Sequence, residues 1–222
     1  MAATSDYTGD VTVGGPAEVR RLPGLEITKI AVGPMNNNAY LLRDPGSGET
    51  LLIDAANEAA RLLELVPDGR LDTIVTTHQH GDHWQGLAEV AGQTGAATVA
   101  HPLDAGSLPV APSRLVEDGD TVTVGGARLS VIHLRGHTPG SVALRYDDPE
   151  GSTHLFTGDS LFPGGVGNTG GDAEAFATLI DDVEHKLFEA MPDDTWVYPG
   201  HGGDTTLGAE RSAVPEWRAR GW

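Results

Sequence analysis

The chain has 222 residues, which is enough for one domain with a sizeable buried core and short for two. Its 14 Lys and Arg residues against 32 Asp and Glu residues give a net charge of −18, which argues against nucleic acids and anionic membranes as partners, because both require a basic surface. The absence of cysteine excludes disulfides, thiolate metal ligands and a cysteine nucleophile.

The first half of the chain alternates short apolar segments with turn residues. Residues 1–22 lack sustained periodicity and are predicted to form a loosely held N-terminal arm, with residues 23–222 forming a single domain. Apolar runs and alternation predict strands over 27–32, 39–43, 50–54, 71–76 and 97–100. Amphipathic spacing predicts short helices over 58–66 and 86–91.

The second half, after a long connection rich in proline, again shows strands followed by a helix. Strands are predicted over 121–124, 127–134, 141–146, 153–157 and 195–198. From Asp172, the expected N-cap, apolar residues recur at helical spacing. We therefore expect an α/β fold in which two β-sheets pack face to face and helices cover both outer sides.

One segment carries most of the functional information. It runs from Thr77 to Trp84 and contains His78, His80, Asp82 and His83 directly after a buried strand. Neutral imidazole and carboxylate are the ligands that hold divalent zinc, iron or manganese without thiolates. The pattern therefore predicts a metal site at the end of this strand.

Three further residues lie directly after predicted strands. His137 lies in the turn Gly136-His-Thr-Pro-Gly-Ser141, Asp159 follows the strand over 153–157, and His201 follows the strand over 195–198. Each alone is more typical of an ordinary turn residue. Together with the His-rich segment, they place metal-ligand side chains at the ends of four predicted strands. We expect the loops at these ends to converge on one pocket.

The sequence resembles the metallo-β-lactamase fold superfamily of metal-dependent hydrolases over about residues 25–210. Within it, the Gly136–Ser141 turn, Thr157-Gly-Asp-Ser160 and Tyr198-Pro-Gly-His201 are most similar to the glyoxalase II (hydroxyacylglutathione hydrolase) group. The resemblance implies an αββα sandwich of two mixed sheets and a site with two divalent metal ions, zinc in the first place and iron or manganese as alternatives.

The resemblance also implies a role for each ligand. It assigns His78, His80 and His137 to one ion, assigns Asp82, His83 and His201 to the other, and places Asp159 between them. Asp82 is the expected catalytic proton acceptor. Asp54, at the end of the third strand, is expected either to orient a ligand histidine or to cap a helix. Among the other histidines, His101 is the candidate for lining the cleft.

The sequence departs from glyoxalase II in two respects. Only 21 residues follow His201, too few for the C-terminal helical region with which that group binds glutathione, and Asn168 stands where many relatives have Arg. The predicted function is a dinuclear hydrolase of a thioester or related small acyl substrate, with binding supported by loops at Trp84 and 162–171. The alternatives are a mononuclear iron persulfide dioxygenase and a lactonase or β-lactamase. A third hypothesis, from a different class, is a non-catalytic or redox-partner use of the fold.

The sequence also favours a location. No apolar run reaches the roughly 20 residues of a membrane-spanning helix. The N-terminal residues lack the basic and then apolar pattern of a secretory signal. We expect a cytoplasmic protein whose partner is a small-molecule substrate, with no nucleic acid and no membrane, and the sequence leaves the oligomeric state open.

Overall fold

The computed structural model describes residues 7–221, so the first six residues of the predicted arm lie outside it. The first sheet takes its strands in chain order: β1 Glu18–Arg21, β2 Glu26–Val32, β3 Asn37–Arg43, β4 Thr50–Ile53, β5 Thr73–Val75, β6 Ala97–Ala100 and β7 Arg114–Leu115. Pairing is antiparallel from β1 to β4 and parallel from β4 to β7. The mixed pairing follows from the hairpins of the first half and the helical crossovers that come after them.

The second sheet contains six strands: β8 Thr121–Val124, β9 Ala127–His133, β10 Val142–Asp147, β11 Thr153–Gly158, β14 Trp196–Pro199 and β15 Thr205–Thr206. Their spatial order is β15-β14-β11-β10-β9-β8, and β11 and β14 run parallel. A separate two-stranded hairpin consists of β12 Leu161–Phe162 and β13 Gly165–Val166. This sheet is therefore mixed as well.

Six α-helices connect or flank the strands within residues 7–221: α1 Ala59–Leu65, α2 Leu87–Thr94, α3 Pro102–Ala105, α4 Ala173–Val183, α5 Leu207–Arg211 and α6 Val214–Arg220. A π-helical turn, Glu184–Phe188, continues α4, and Pro67–Gly69 and Gly81–His83 form 3-10 turns. Asp172 accepts hydrogen bonds from the backbone amides of Glu174 and Ala175, which confirms the predicted N-cap. No helix in the described part of the chain has the length and apolarity needed to cross a membrane.

Three apolar clusters define four layers. The central cluster lies between the two sheets and includes Tyr40, Phe156 and Tyr198. A second cluster joins the first sheet to α1 and α2, and a third joins the second sheet to α4 and α6. The predicted αββα sandwich is confirmed, and each sheet buries both faces, which explains why every residue of β4 and β11 is buried.

The described part of the N-terminal arm is held more firmly than the sequence predicted. Residues 18–21 form β1, which pairs with β2 along four residues. Lys29, with 0% of its surface exposed, donates from Nζ to Gly9 O at 2.7 Å, to Gly202 O at 2.8 Å and to Asp204 Oδ1 at 2.6 Å. Tyr7 adds a hydrogen bond to Asp204 Oδ2. The prediction of a loose arm was wrong here, because β1 pairs with the next strand and Tyr7 is held by Asp204, which lies 197 positions away.

Several short elements escaped prediction. The two-residue strand β7 and the single-turn helix α3 lie in or next to the long connection, and β15, α5 and α6 follow His201. Elements of two to seven residues carry too few apolar positions to show a period. The longer predicted elements recur with their ends shifted by a few residues, as with α2 over Leu87–Thr94.

His154 is a completely buried histidine on β11, and its ring nitrogen Nδ1 lies 2.9 Å from Tyr198 Oη. Burial, together with the charge of Arg20, lowers the pKa of His154 from 6.5 to about 4. Between pH 6.5 and 4, His154 is therefore protonated in the unfolded chain but neutral in the folded chain. This difference lowers the free energy of unfolding as the pH falls through that window.

We expect His154→Gln to reduce the stability lost between pH 7 and 4.5 by about 2 kcal/mol, because Gln retains a polar group for Tyr198 but does not titrate. Urea unfolding followed by circular dichroism at both pH values measures the effect. His185→Gln, which makes the same substitution at an exposed histidine that follows α4, is the matched control, and the effect is the difference between the two variants. An identical slope in His154→Gln and the parent would contradict the assignment.

Candidate metal centre

The predicted ligands lie at one end of the sandwich, where strands of both sheets finish. His78, His80, Asp82 and His83 follow β5, whose short parallel pairing with β4 and β6 aims the segment at this end. His137 lies between β9 and β10, Asp159 directly follows β11, and His201 follows β14. The structure thus brings together all seven residues that the sequence predicted.

Three groups of side chains are close enough to share a cation. Their ligand atoms lie within 4.8 Å of one another in each of these sets: His78, His80 and His137; His78, His83 and Asp159; and Asp82, His83 and His201. Asp159 Oδ2 lies 3.6 Å from His137 Nε2 and 3.4 Å from His201 Nε2. Asp159 therefore lies between two clusters, one formed by His78, His80 and His137 and the other by Asp82, His83 and His201. The assignment of each ligand to a particular ion stays a prediction.

The histidines of each cluster turn ring nitrogens toward each other. His80 Nδ1 is 2.9 Å from His137 Nε2, which is 3.3 Å from His78 Nε2. On the other side, His83 Nε2 and His201 Nε2 are 3.2 Å apart. Nitrogens at such distances need either a proton or a cation between them.

Backbone carbonyls fix the tautomers of two of these rings. His137 Nδ1 donates to Asn168 O at 2.7 Å, and His201 Nδ1 donates to Met35 O at 2.9 Å. In the neutral imidazoles, each Nε2 then presents a lone pair to the centre of the site. This is the orientation that metal-bound histidines adopt when a neighbouring acceptor holds the outer N–H.

Asp54 fixes two more rings through one carboxylate. Its Oδ1 accepts from Thr77 N at 2.7 Å, and its Oδ2 accepts from Thr77 Oγ1 and from His83 Nδ1, both at 2.8 Å. Because Thr77 Oγ1 gives its only proton to Asp54, it accepts from His78 Nδ1 at 3.0 Å. Of the two roles predicted for Asp54, orienting the ligand histidines is the one found, since Glu58 is the N-cap of α1.

The donor set fits divalent metal ions. Converging nitrogen lone pairs and carboxylates repel one another unless a cation lies among them. Asp159 Oδ1 is buried and lies 3.2 Å from His83 Nε2. Gly200 packs so closely against the site that a Cβ there would overlap Asp159 Oδ1 and stand 2.8 Å from His83 Cε1. The chain thus keeps room around a buried carboxylate oxygen that faces a histidine nitrogen, an arrangement that suits a cation between the two.

The charges at the site also favour a bound cation. Burial lowers the pKa of His83, but the carboxylates of Asp54 and Asp159 outweigh it and raise that pKa to about 10. Burial and the charge of His83 hold the pKa of His78 well below its usual value. Without a metal the site therefore keeps a positive charge as a proton on His83, and metal binding must displace that proton.

Asn37 is a site residue that the sequence analysis missed. It lies at the start of β3, is buried, and donates from Nδ2 to Asp82 Oδ2 at 2.8 Å. The run of three asparagines before an apolar strand was the available signal, because an amide at a buried strand end must find a partner. Asn37 orients Asp82 as the carbonyls orient the rings.

The cleft above the ligands has a volume of about 500 Å³ and adds four residues to the ligand side chains: Met35, Asn168, Thr169 and Gly170. Met35 exposes 60% of its surface. Residues 168–170 of the loop 162–171 therefore line the cleft, and their role in binding substrate stays a prediction, whereas Trp84 donates to Gln79 O and packs toward the outer apolar layer. His101 lies in a separate surface cleft beside His133, so the expectation that it lines this cleft was wrong.

Comparison with known proteins identifies the family. The family model described as the metallo-beta-lactamase superfamily matches residues 32–201, which include all seven predicted ligands. The chain belongs to this superfamily. Membership confirms the fold class and the prediction of a metal-dependent hydrolase.

Individual relatives agree with this placement. A protein of Fuscovulum blasticum named hydroxyacylglutathione hydrolase is 38% identical over 169 residues, a match that covers 75% of this chain and 62% of that protein. The structure of TTHA1623 in a di-iron-bound form is similar with a TM-score of 0.67 and 34% identity, covering 82% and 96% of the two chains. ETHE1 from Myxococcus xanthus superposes with a TM-score of 0.73 at 28% identity, covering 87% and 84%. The chain thus spans less than two thirds of the hydrolase-named relative but nearly all of TTHA1623.

Acid should remove bound metal from this site. Protons compete for the same nitrogens, and His83 holds its proton especially firmly, so we expect zinc affinity to fall steadily as the pH drops from 8 to 5. Competition titrations with a chromophoric chelator at several pH values measure this, and proton release into a weak buffer on zinc addition checks it independently. A zinc affinity independent of pH would contradict the proposed ligand set.

Proposed function

We propose that the chain is a dinuclear metal hydrolase that cleaves thioesters or related small acyl substrates. The observation that carries the proposal is the position of Asp159, whose carboxylate lies within 3.6 Å of a histidine nitrogen from each of the two clusters. A carboxylate placed in this way suits two cations that share it. Zinc is the proposed metal, with iron or manganese accepted by the same nitrogen and oxygen ligands.

When bound, a pair of divalent ions supplies hydroxide near neutral pH and polarises a carbonyl group. Two such ions bring four positive charges, and Asp82, Asp159 and a hydroxide would remove three of them. About one positive charge remains to attract an oxyanion within an otherwise acidic protein. No serine or cysteine nucleophile is required, in agreement with the absence of cysteine.

The chain's own residues have defined tasks in this reaction. Asp54 and the carbonyls of Met35 and Asn168 hold the imidazoles in the tautomers that leave the inner nitrogens free. Asp82 Oδ2, oriented by Asn37 and 3.4 Å from His201 Nε2, is placed to accept a proton at the site. The open cleft admits the substrate from solvent on the side of Met35 and Asn168.

The cleft supports a small acyl substrate without an extended binding site. Among the described residues that line it there is no Lys or Arg, so carboxylates on a thiol carrier such as glutathione gain no ion pair there. The name of the Fuscovulum blasticum relative supports a thioester as the bond that is cleaved. The acidic composition supports a small molecule in preference to nucleic acid or an anionic membrane as the partner.

Single ligand substitutions test the dinuclear assignment. We expect His201→Ala to lose one of two bound metals and most of its thioester hydrolysis, because in the proposed dinuclear site both ions would be needed to supply hydroxide. Asp159→Asn keeps the side-chain size but removes the negative charge between the ions, so the occupancy of both should fall. Elemental analysis and turnover are measured side by side, with His185→Gln as a control. Full metal content in His201→Ala, with oxygen consumption by the parent on a persulfide, would establish the dioxygenase alternative instead.

Substrate selectivity should be modest. The described residues that line the cleft offer no cation to the carboxylates of glutathione. Catalytic efficiencies for an acyl-glutathione and an uncharged acyl-N-acetylcysteamine should therefore differ by less than about 200-fold, the discrimination that contacts without a charged partner give. Asn168→Arg should shift the ratio several-fold toward glutathione because it adds a cation to the cleft, whereas Asn168→Gln, the uncharged control, should not. A preference of thousands-fold for glutathione in the parent would contradict the proposed substrate class.

A further inference from the structure

Asp104 is a buried carboxylate outside the predicted ligand set. It belongs to α3 and exposes only 1% of its surface. The helix is anchored at His101, whose Nδ1 accepts from Leu103 N at 3.3 Å and whose carbonyl accepts from Asp104 N at 3.1 Å. This N-terminal cap fixes the backbone from which the Asp104 side chain extends.

The carboxylate of Asp104 joins two loops that carry metal ligands. Its Oδ2 accepts from Gln79 N at 2.9 Å and from Thr138 Oγ1 at 2.6 Å, and its Oδ1 accepts from Gly140 N at 2.8 Å. Gln79 lies between His78 and His80 in the sequence, and Thr138 directly follows His137. One side chain therefore connects the loops of the three-histidine cluster.

The arrangement requires a carboxylate. All three partners of Asp104 are donors, and Thr138 Oγ1, having given its proton, accepts from Ser141 Oγ at 2.6 Å. An amide at position 104 would turn its NH₂ group toward the backbone N–H of either Gln79 or Gly140. One buried N–H would then lose its acceptor.

The neighbouring loop is shaped to receive this carboxylate. A Cβ at position 140 would lie 2.8 Å from Asp104 Cγ and 2.9 Å from Asp104 N, so only glycine allows the observed approach. Gly140 of the Gly136–Ser141 turn is thus explained by its contact with Asp104, not by contact with a ligand. Close packing and three hydrogen bonds together determine the distance between the two loops.

We propose that Asp104 is a positioning residue that sets the separation of the His78–His80 and His137 loops and thereby the affinity of the metal ion bound by these three histidines. The inference rests on the proposed dinuclear function. His80 Nδ1 and His137 Nε2 are 2.9 Å apart and come from the two loops that Asp104 connects. A change in loop separation therefore alters the geometry of this cluster before that of the Asp82, His83 and His201 cluster.

The test measures zinc affinity in Asp104→Asn. The metal-free protein is titrated with zinc against a chromophoric chelator, and its unfolding in urea is recorded without metal. Loss of a partner that orients ligands typically costs 10–100-fold in metal affinity. We expect a loss of at least tenfold for one of the two zinc ions and a change below about threefold for the other.

The His201→Ala background identifies the affected ion. In that background the three-histidine cluster is left to bind zinc, so adding Asp104→Asn should weaken the single remaining ion by the same factor. Gly140→Ala, which displaces the carboxylate without changing its charge, should weaken the same ion and serves as the second variant if Asp104→Asn does not fold.

Asp72→Asn is the matched control. Asp72 is a half-buried carboxylate that accepts from Thr50 N at 2.9 Å and lies just before β5, at the end opposite His78. Its substitution should lower stability and leave both zinc affinities unchanged. If Asp104→Asn behaves like Asp72→Asn, the positioning role is overturned while the proposed function stands. If the parent binds no zinc, iron or manganese, both fail.

Discussion

The site depends on the mutual repulsion of the groups that the fold forces together. Imidazole lone pairs and three carboxylates, those of Asp54, Asp82 and Asp159, converge at one end of the sandwich, with the ligand atoms of each group within 4.8 Å of one another. Such a cluster costs folding free energy until a positive charge lies within it. The protein therefore holds its ligands in place by means that do not rely on the ligands attracting one another.

Those means are hydrogen bonds to the outer side of five of the seven ligands. Asp54 holds the rings of His83 and, through Thr77, His78; carbonyl oxygens hold His137 and His201; and Asn37 holds Asp82. Most of these partners belong to the ends of buried strands or to the loops next to them. The rigidity of the two sheets is thus transmitted to the metal site through one layer of polar contacts.

The sequence was sufficient to predict the ligands because each of them directly follows a strand that its apolar pattern reveals. The residues that orient the ligands could not be predicted in the same way. Asp54 was left with two roles, and Asn37 and Asp104 were missed, because their partners lie 23 to 45 positions away in the chain. A local pattern shows which side chains face inward, but a hydrogen bond across that distance depends on the packed tertiary structure. The arm was misjudged for the same reason, since Tyr7 and Asp204 are 197 positions apart.

The buried ion pair between Lys29 and Asp204 links the beginning of the described chain to the loop after β14. Lys29 binds the carbonyls of Gly9 and Gly202 at once, and Gly202 is the immediate neighbour of His201. The N-terminal segment and this ligand loop thus belong to one cooperative unit, in which local opening of either weakens the other. By thermodynamic reciprocity, an ion that binds His201 also stabilises the N-terminal segment. Metal binding would then slow the amide hydrogen exchange of β2, the strand of Lys29, although β2 contributes no ligand.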